Sequence, residues 1–317
     1  MLKTDSGRQE NALPMTSYSR RQFLERSLCT AAGVFAAGAL TSCSSPQISS
    51  AAKPGSKMRF GLVTYLWGKD WDLPTLVRNC ETSNVLGVEL RTEHAHGVES
   101  HLNARQRQNV KKRFDDSPVT LVGLGTNFCF HHTDPAKLQK NIDGAKQYIV
   151  LSHDVGGSGV KVKPNALPQG VPVEKTIEQI GKSLNELGRF AADYGQEIRV
   201  EVHGRETSSL PIMKRIFDVA ERPNVGVCWN SNDKDLEGQG LEYNFNLVKD
   251  RFGATVHVRE LNSGKYPYQQ LMSLFVKMDY KGWILLEART KPEDRVKALA
   301  QQRTLFEQMV AKAQALG

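Results

Sequence analysis

The sequence predicts an α/β protein that consists of a single (β/α)8 barrel preceded by an export signal and a polar tether. Eight short runs rich in β-branched and aliphatic residues recur along the chain, with stretches of helical apolar spacing between them. Eight parallel strands with crossover helices in about 260 residues match the size of a (β/α)8 barrel, whereas a doubly wound open sheet normally has fewer strands. The 317 residues, 39% hydrophobic and 24% charged, have the composition of a globular protein.

The amino-terminal segment, residues 1–42, has the features of an export signal. Arg20 and Arg21 precede an aromatic residue and a leucine, and residues 28–40 carry no charge. This pattern is typical of a twin-arginine signal, and its apolar run is shorter than the ~20 residues of a membrane-spanning helix. The sequence LTSC that ends at Cys43 resembles a bacterial lipoprotein box. We therefore expect an exported, periplasmic protein with a lipid anchor on Cys43; the alternative is a cleaved signal in which Cys43 has no role.

A polar tether, residues 43–57, separates this signal from the predicted barrel. It is rich in Ser, Pro, Gln and Ala, a composition typical of flexible linkers. After it, we expect one domain, residues 58–317, because no repeat and no second linker interrupts the alternation of strands and helices.

The eight predicted strands follow one another along this domain. In order they are MRFGLVTY (58–65), VLGVELR (85–91), VTLVGLG (119–125), SGVKVKP (158–164), EIRVEVH (197–203), NVGVCWN (224–230), ATVHVRE (254–260) and GWILLEA (282–288). Apolar residues with helical spacing lie between them, for example in residues 177–191 and 271–278.

The basic residues and the cysteines limit the class of protein. The formal net charge of +8 is spread thinly, and the longest basic run is Lys111, Lys112 and Arg113. This disfavours a dedicated nucleic-acid-binding tract, so we expect no nucleic-acid partner. The five cysteines form no CxxC pair and no zinc-type spacing, which excludes a disulfide scaffold.

Polar residues lie at the carboxyl ends of several predicted strands, although the strands of an all-parallel sheet are normally apolar. In a (β/α)8 barrel these ends and their loops carry the active site. Four such residues end four consecutive strands: Glu201, Asn230, His257 and Glu287. We expect them to converge on one divalent cation (Mn, Mg, Co or Zn), because oxygen and nitrogen donors without thiolates suit these ions.

The alternative is that these residues have separate structural roles. Glu201 would then pair with Arg199 or Arg205, Glu287 would pair with Arg289, and the histidine would be a satisfied core residue. Independent salt bridges have no reason to lie at the same rim, so the shared position of the four residues favours the cation.

A second group near the same strand ends is expected to bind substrate. Its members are Arg91, His94, His96, Lys163, His203 and Trp67. The cationic members can hold hydroxyl groups or a developing oxyanion, and the indole can stack on a sugar ring. Rim ion pairs and core packing are the structural alternatives. The HxH spacing of two of these histidines also occurs in multi-metal hydrolases, and His131 and His132 either line the pocket or are solvated.

The segments EVHGR, VGVCWNSN, VHVREL and GWILLEA resemble the xylose isomerase-like barrels, also named sugar phosphate isomerase/epimerase proteins. The resemblance covers the chain from about residue 58 to its end. It implies that Glu201, Asn230, His257 and Glu287 bind the cation, and that the two glutamates move a proton between adjacent sugar carbons. Family epimerases usually have Asp where this chain has Asn230, so we expect weaker metal retention but a stronger Lewis acid.

Three functions are compatible with these residues. The first is an exported metal-dependent enzyme that isomerises, epimerises or eliminates on a keto-sugar, polyol or glycoside. The second is a multi-zinc hydrolase of the endonuclease IV type. The predicted export signal disfavours it, because an exported protein is separated from its nucleic-acid substrate in the cytoplasm. The third is a carbohydrate-binding lipoprotein without catalysis, which only Asn230 favours. A phosphorylated sugar is disfavoured because the sequence has no Gly-rich phosphate cradle.

Overall fold

The computed structural model describes residues 52–316, in which eight parallel strands, each followed by a helix, form one sheet. Two further short strands, Asn165–Ala166 and Gly204–Arg205, pair with each other in a separate sheet. The strands are β1 (Arg59–Val63), β2 (Gly87–Arg91), β3 (Thr120–Cys129), β4 (Gly159–Lys163), β5 (Glu197–Glu201), β6 (Val225–Cys228), β7 (Thr255–Val258) and β8 (Trp283–Leu286). The helices are α1 (Leu73–Ser83), α2 (Ala104–Asp115), α3 (Pro135–Asp154), α4 (Val173–Ala192), α5 (Leu210–Val219), α6 (Leu241–Val248), α7 (Tyr268–Lys277) and α8 (Arg295–Leu316). The predicted (β/α)8 barrel is confirmed, and each of the eight strands overlaps the run that the sequence predicts for it.

The strands are ordered β6-β5-β4-β3-β2-β1-β8-β7 in one sheet, which closes between its two end strands. The closing contact is a parallel bridge between Asn230 and His257, directly beyond the carboxyl end of β6. The backbone N–H of His257 donates to the Trp229 carbonyl at 2.7 Å, and that of Ser231 donates to the His257 carbonyl at 3.1 Å. Two of the predicted metal ligands therefore form the pair of residues that closes the barrel.

Local sequence signals explain where the helices begin. The side chain of Asp72 accepts a hydrogen bond from the Thr75 N–H at the start of α1, and Asn103 forms a capping box with Gln106 at the start of α2. The apolar face of α4 is buried against the strands, with Leu184 fully inaccessible. Burial of each such leucine contributes roughly 1.5–3 kcal/mol to the stability of the fold, so the packing of the helices on the strands stabilises the barrel.

The interior of the barrel contains charged side chains, and glycines on the strands make room for them. A Cβ atom on Gly123 would lie 2.6 Å from Arg199 Nη1, and one on Gly125 would lie 2.7 Å from Glu89 Oε1. Arg199 is fully buried and donates to Glu197 Oε2 at 2.7 Å and to the Val122 carbonyl at 2.9 Å. The alternative salt bridge between Arg199 and Glu201 is therefore absent from the described residues, because Arg199 is paired with Glu197.

Strand β3 is longer than the sequence predicts. It was expected to end at Gly125 but continues to Cys129, after a register irregularity between these two residues. The extension is held by Asn141 of α3, whose Oδ1 accepts a hydrogen bond from the Cys129 N–H at 3.0 Å. Residues beyond the predicted end of the strand therefore lie on β3, with Cys129 in register with Lys163.

The predicted signal peptide, the lipoprotein box with Cys43 and most of the tether lie outside the described residues, and they stay predictions. Within residues 52–57, the Gly55 N–H donates to Asp279 Oδ1 at 2.8 Å. Among the helices of residues 52–316, no helix has both the length and the apolarity needed to cross a bilayer.

Candidate active site

Glu201, His257 and Glu287 meet at the carboxyl ends of β5, β7 and β8. One donor atom from each lies within 4.8 Å of the others, and all three side chains are buried. They converge because neighbouring parallel strands present the same end to the same mouth of the barrel. The structure thus brings together three of the four residues that the sequence assigns to a cation.

Asn230, the fourth predicted ligand, contacts the same group. Its Nδ2 donates to Glu201 Oε1 at 2.8 Å. Because the Asn230 Nδ2 donates to this carboxylate, the Asn230 Oδ1 is the side-chain atom that can bind a cation.

Two further charged side chains, Glu89 and Lys161, belong to this group and are not among the site residues that the sequence predicts. Lys161 Nζ lies 2.7 Å from Glu201 Oε2, and both side chains are only 1% exposed. Glu89 Oε1 lies 3.2 Å from His257 Nε2. The available signal was a charged residue within a strand that is buried on both faces, as in GVELR and GVKVK.

Several buried polar atoms of this group lack hydrogen-bond partners within residues 52–316. They are both ring nitrogens of His257 and both carboxylate oxygens of Glu89. The 3.2 Å approach between the two side chains does not have the angle of a hydrogen bond. Because an unsatisfied buried polar atom costs about 1–3 kcal/mol, His257 is not the satisfied core histidine of the alternative interpretation. The donor set fits a divalent cation held between Glu201, His257 and Glu287.

The two glutamates differ in their protonation. Burial raises the pKa of Glu201, but the positive charges of Lys161, Lys163 and His257 outweigh burial and hold the pKa well below its usual range. Burial also raises the pKa of Glu287, and the nearby charge of Glu201 raises it further. One site therefore holds a carboxylate that favours ionisation and a second carboxyl group that favours its proton, the usual basis for separate base and acid roles.

Three of the predicted substrate-binding residues lie around this group. Lys163 Nζ is 3.8 Å from Glu201 Oε2, with 14% of its side chain exposed. Arg91 Nη1 donates to Asn127 Oδ1 at 2.7 Å at the end of β2. His203 follows β5 and has a buried Nδ1 without a hydrogen-bond partner within the described range. These side chains offer donors that a sugar hydroxyl can use.

Three other predicted substrate-binding residues make structural contacts. His96 accepts at Nδ1 from the Val98 N–H at 3.0 Å, and its Nε2 lies 2.7 Å from the Arg91 carbonyl, so the backbone occupies both nitrogens. Trp67 is 2% exposed, and its Nε1 donates to the Thr290 carbonyl at 3.0 Å. Burial lowers the pKa of His94 to about 4, so this imidazole is neutral at physiological pH.

The alternative arginine partners of the two glutamates are also resolved. The ion-pair partners of Glu201 within residues 52–316 are Lys161, Lys163 and His257, not Arg205. Glu287 forms no ion pair with Arg289 in this range, and the loop that carries Arg289 is instead held by Glu260, which accepts from the Arg289 N–H at 3.0 Å.

The loop after β6, which carries Asn230, is fixed by the buried Asp235. Asp235 Oδ2 accepts from the Tyr266 hydroxyl at 2.6 Å and from the Asn232 N–H at 3.0 Å. Asn232 Nδ2 in turn donates to the Asn230 carbonyl at 2.7 Å, and Asn244 donates to the Asp235 carbonyl at 2.9 Å. Asp235 thus connects the position of Asn230 to α6 and to the segment before α7.

Asp235 predicts a pH dependence of stability. Burial raises its pKa from 3.8 to about 7, although the hydrogen bond from Tyr266 and the charge of Arg259 act in the opposite direction; the charge of Asp233 adds to the rise. Between about pH 4 and pH 7 the folded protein keeps a proton that the unfolded chain releases, so stability falls as the pH rises. The difference between the two pKa values, 3.8 and about 7, corresponds to a loss of about 4 kcal/mol in the free energy of unfolding.

We therefore expect Asp235→Asn to remove most of this loss. Urea unfolding of the chelator-treated protein at several pH values measures the effect as the difference between variant and wild type. Asp193→Asn, the same change at an exposed site, should leave the pH profile unaltered. Parallel profiles for wild type and Asp235→Asn would contradict the assignment.

Comparison with known proteins shows the family to which this chain belongs. The family model described as xylose isomerase-like TIM barrel matches residues 77–308. No curated protein sequence matches the chain. Among solved structures, 3-keto-D-glucoside 4-epimerase (YcjR) from E. coli has a TM-score of 0.67 at 15% identity and covers 80% of this chain and 100% of its own.

Two other solved structures give similar values. L-ribulose 3-epimerase has a TM-score of 0.67 at 13% identity, covering 81% of this chain and 95% of its own. The IOLI protein with a bound zinc atom has a TM-score of 0.67 at 16% identity, covering 81% of this chain and 98% of its own. At such identities these likenesses concern the fold. The match of the family model over most of the chain carries the assignment: this protein belongs to the xylose isomerase-like TIM barrel family.

Proposed function

We propose that this protein is a divalent-metal-dependent isomerase or epimerase that acts on a keto-sugar, polyol or glycoside. The observation that carries the proposal is the group of Glu201, His257 and Glu287, whose donor atoms lie within 4.8 Å of one another at the mouth of the barrel. The family and the sugar-epimerase names of two similar structures support it. The proposal includes export to the periplasm and a lipid anchor on Cys43, which the sequence predicts.

The two glutamates supply the acid/base chemistry. Glu201 removes the proton from the carbon beside the substrate carbonyl, and Glu287 returns a proton. Return to the opposite face inverts the carbon and gives an epimer, whereas return to the neighbouring carbon gives an isomer. If a leaving group sits on the next carbon, the same abstraction leads to elimination. Each carboxyl group has to reach its proton at hydrogen-bond distance, so the placement of the substrate between them determines the reaction.

The remaining residues of the group hold and orient these partners. Lys161 fixes one oxygen of Glu201, and Asn230 fixes the other. Lys163, at the more exposed edge, is placed to donate to a substrate hydroxyl or oxyanion. A cation held by Glu201, His257 and Glu287, with Asn230 Oδ1 beside them, would supply Lewis acidity toward the substrate carbonyl.

Proton exchange with deuterated water tests this function, because abstraction is common to all the reactions considered. The full chain, loaded with Mn²⁺, is incubated with a panel of oxidised sugars and glycosides, and NMR follows deuterium entry beside the carbonyl. We expect exchange with at least one keto-sugar and its loss after chelation. Exchange that is absent across the panel, or unaffected by chelation, would contradict the proposal.

Asn230→Asp is expected to tighten binding of the cation. A third carboxylate next to Glu201 adds negative charge where the cation is held, so we expect the affinity for Mn²⁺ to rise at least about tenfold, or about 1.4 kcal/mol. Without metal, the new carboxylate repels Glu201 and should lower the melting temperature. Isothermal titration calorimetry on chelator-treated protein measures the affinity. Asn109→Asp, on the exposed side of α2, provides the matched control; unchanged or weaker binding in Asn230→Asp would place the cation elsewhere.

A further inference from the structure

A second cluster of metal-ligating side chains lies at the end of β3 and has no role in the proposed reaction. Cys129, His131 and His132 each offer one ligand atom, and these atoms lie within 4.8 Å of one another. They belong to the segment NFCFHHTDP, residues 127–135. We call these three residues the Cys-His-His cluster.

The distance between two ligand atoms of the cluster matches that of a tetrahedral metal site. Cys129 Sγ lies 3.4 Å from His132 Nε2, and the rings of His131 and His132 have centroids 4.4 Å apart. With Zn–S of about 2.3 Å and Zn–N of about 2.0–2.1 Å, tetrahedral ligand atoms are separated by about 3.6 Å. The two atoms therefore need almost no movement to bind one ion.

The cluster also contains a buried donor without a partner. His131 Nδ1 is inaccessible and has no hydrogen-bond partner within residues 52–316. The Cys129 thiol, with 9% of the residue exposed, has His132 and a long contact of 4.0 Å to Asn141 Oδ1. An unsatisfied buried imidazole nitrogen costs free energy, which an ion bound at that nitrogen would offset.

The backbone of this segment is held in place from both sides. Asn141 of α3 accepts from the Cys129 N–H at 3.0 Å. Gln179 of α4 donates to the carbonyls of Phe130 and His132 at 2.7 and 2.9 Å. Because two helices fix the chain at both ends of the cluster, little conformational entropy is lost when an ion binds.

We propose that Cys129, His131 and His132 form a second, independent metal site for a borderline-soft divalent ion such as Zn²⁺. One thiolate and two imidazoles are the donor types that Zn²⁺ prefers over the hard oxygen-binding ions, and three protein donors leave a fourth position open. The site differs from the group around Glu201, whose three donors are oxygen and nitrogen atoms.

Two lysine side chains near the Cys-His-His cluster affect it through their positive charge. Burial raises the pKa of the Cys129 thiol, whereas the positive charges of Lys137 and Lys163 act in the opposite direction and favour the thiolate. The same two charges also repel a divalent ion. Lys163 additionally faces Glu201 at 3.8 Å, whereas Lys137 is exposed on α3. The charge of Lys137 therefore acts on the cluster and not on the Glu201 group.

Co²⁺ is the probe that separates the two sites, because only a sulfur ligand gives an intense thiolate-to-Co²⁺ charge-transfer band in the near ultraviolet. The chelator-treated full chain is titrated with Co²⁺ and followed by absorption. We expect the band to saturate at one ion per chain, to disappear in Cys129→Ser, to weaken at least fivefold in His132→Gln, and to be displaced by Zn²⁺. Cys80→Ser and His153→Gln, away from the cluster, should keep it.

The outcomes distinguish this site from the proposed function. If the charge-transfer band forms but no deuterium exchange occurs, the metal site at the Cys-His-His cluster is supported and the proposed enzymatic function is contradicted. If exchange occurs without the band, the enzymatic function is supported and the second metal site is contradicted. A band that is absent in wild type, or that persists in Cys129→Ser, overturns the cluster and leaves a thiol–imidazole hydrogen bond.

Discussion

Glu287→Gln is expected to lower turnover by roughly 10³- to 10⁴-fold while the protein remains folded. Gln keeps the size and much of the hydrogen bonding of Glu but cannot transfer a proton, and general acid–base catalysis contributes roughly 10²–10⁴-fold per positioned group. The measurement is kcat on the keto-sugar that shows deuterium exchange, with circular dichroism as the check on folding.

The two glutamate variants should differ in the stability of the metal-free protein. Burial and the charge of Glu201 raise the pKa of Glu287, so the neutral Gln relieves a repulsion in the metal-free protein. We therefore expect chelator-treated Glu287→Gln to be at least as stable as wild type. Glu201→Gln should lose turnover to a similar extent but also lose stability, since Lys161 is then left without its anionic partner.

Glu293→Gln is the matched control for both variants, because Glu293 is exposed on the loop after β8. It should retain wild-type turnover. Near-normal activity in Glu287→Gln or Glu201→Gln would show that the acid/base pair is assigned to the wrong residues.

The sequence predicts the barrel well because its signals are repeated along the chain. Each buried strand is a short run of β-branched and aliphatic residues, and each is followed by helical spacing such as that of residues 177–191. The rule that parallel strands end at one mouth then places Glu201, His257 and Glu287 together without knowledge of the structure. The extension of β3 to Cys129 was not predictable in this way, because it depends on a tertiary hydrogen bond from Cys129 to Asn141.

The sequence predicts the inner contacts of the site less well. A strand that is buried on both faces gives no alternation to show which side chains point into the barrel. Glu89 and Lys161 were visible as charges in such strands, but their contacts with His257 and Glu201 depend on the register between strands that are distant in sequence. Trp67 and His96 illustrate the converse: both lie near strand ends, yet their ring nitrogens form hydrogen bonds with nearby backbone groups.

Lys161→Met is expected to destabilise the metal-free protein by about 3–5 kcal/mol, the usual cost of removing one partner from a buried ion pair. Lys161 Nζ contacts Glu201 Oε2 at 2.7 Å, and both side chains are 1% exposed, so solvent cannot replace the lost charge. Lys163 lies at 3.8 Å from the same oxygen and is too far away to take over the hydrogen bond. Urea unfolding in the presence of a chelator gives the free energy.

A double variant distinguishes a charge effect from a packing effect. Lys161→Met combined with Glu201→Gln removes both charges, and we expect it to recover at least about 2 kcal/mol relative to Lys161→Met, since no unpaired carboxylate remains in the interior. Lys182→Met, which breaks an exposed pair with Glu178 on α4, should cost less than about 1 kcal/mol. If the double variant is as unstable as the sum of the single ones, Lys161 acts through packing alone. Recovery would instead identify the Lys161 ammonium as the cation that keeps Glu201 ionised when no metal is bound.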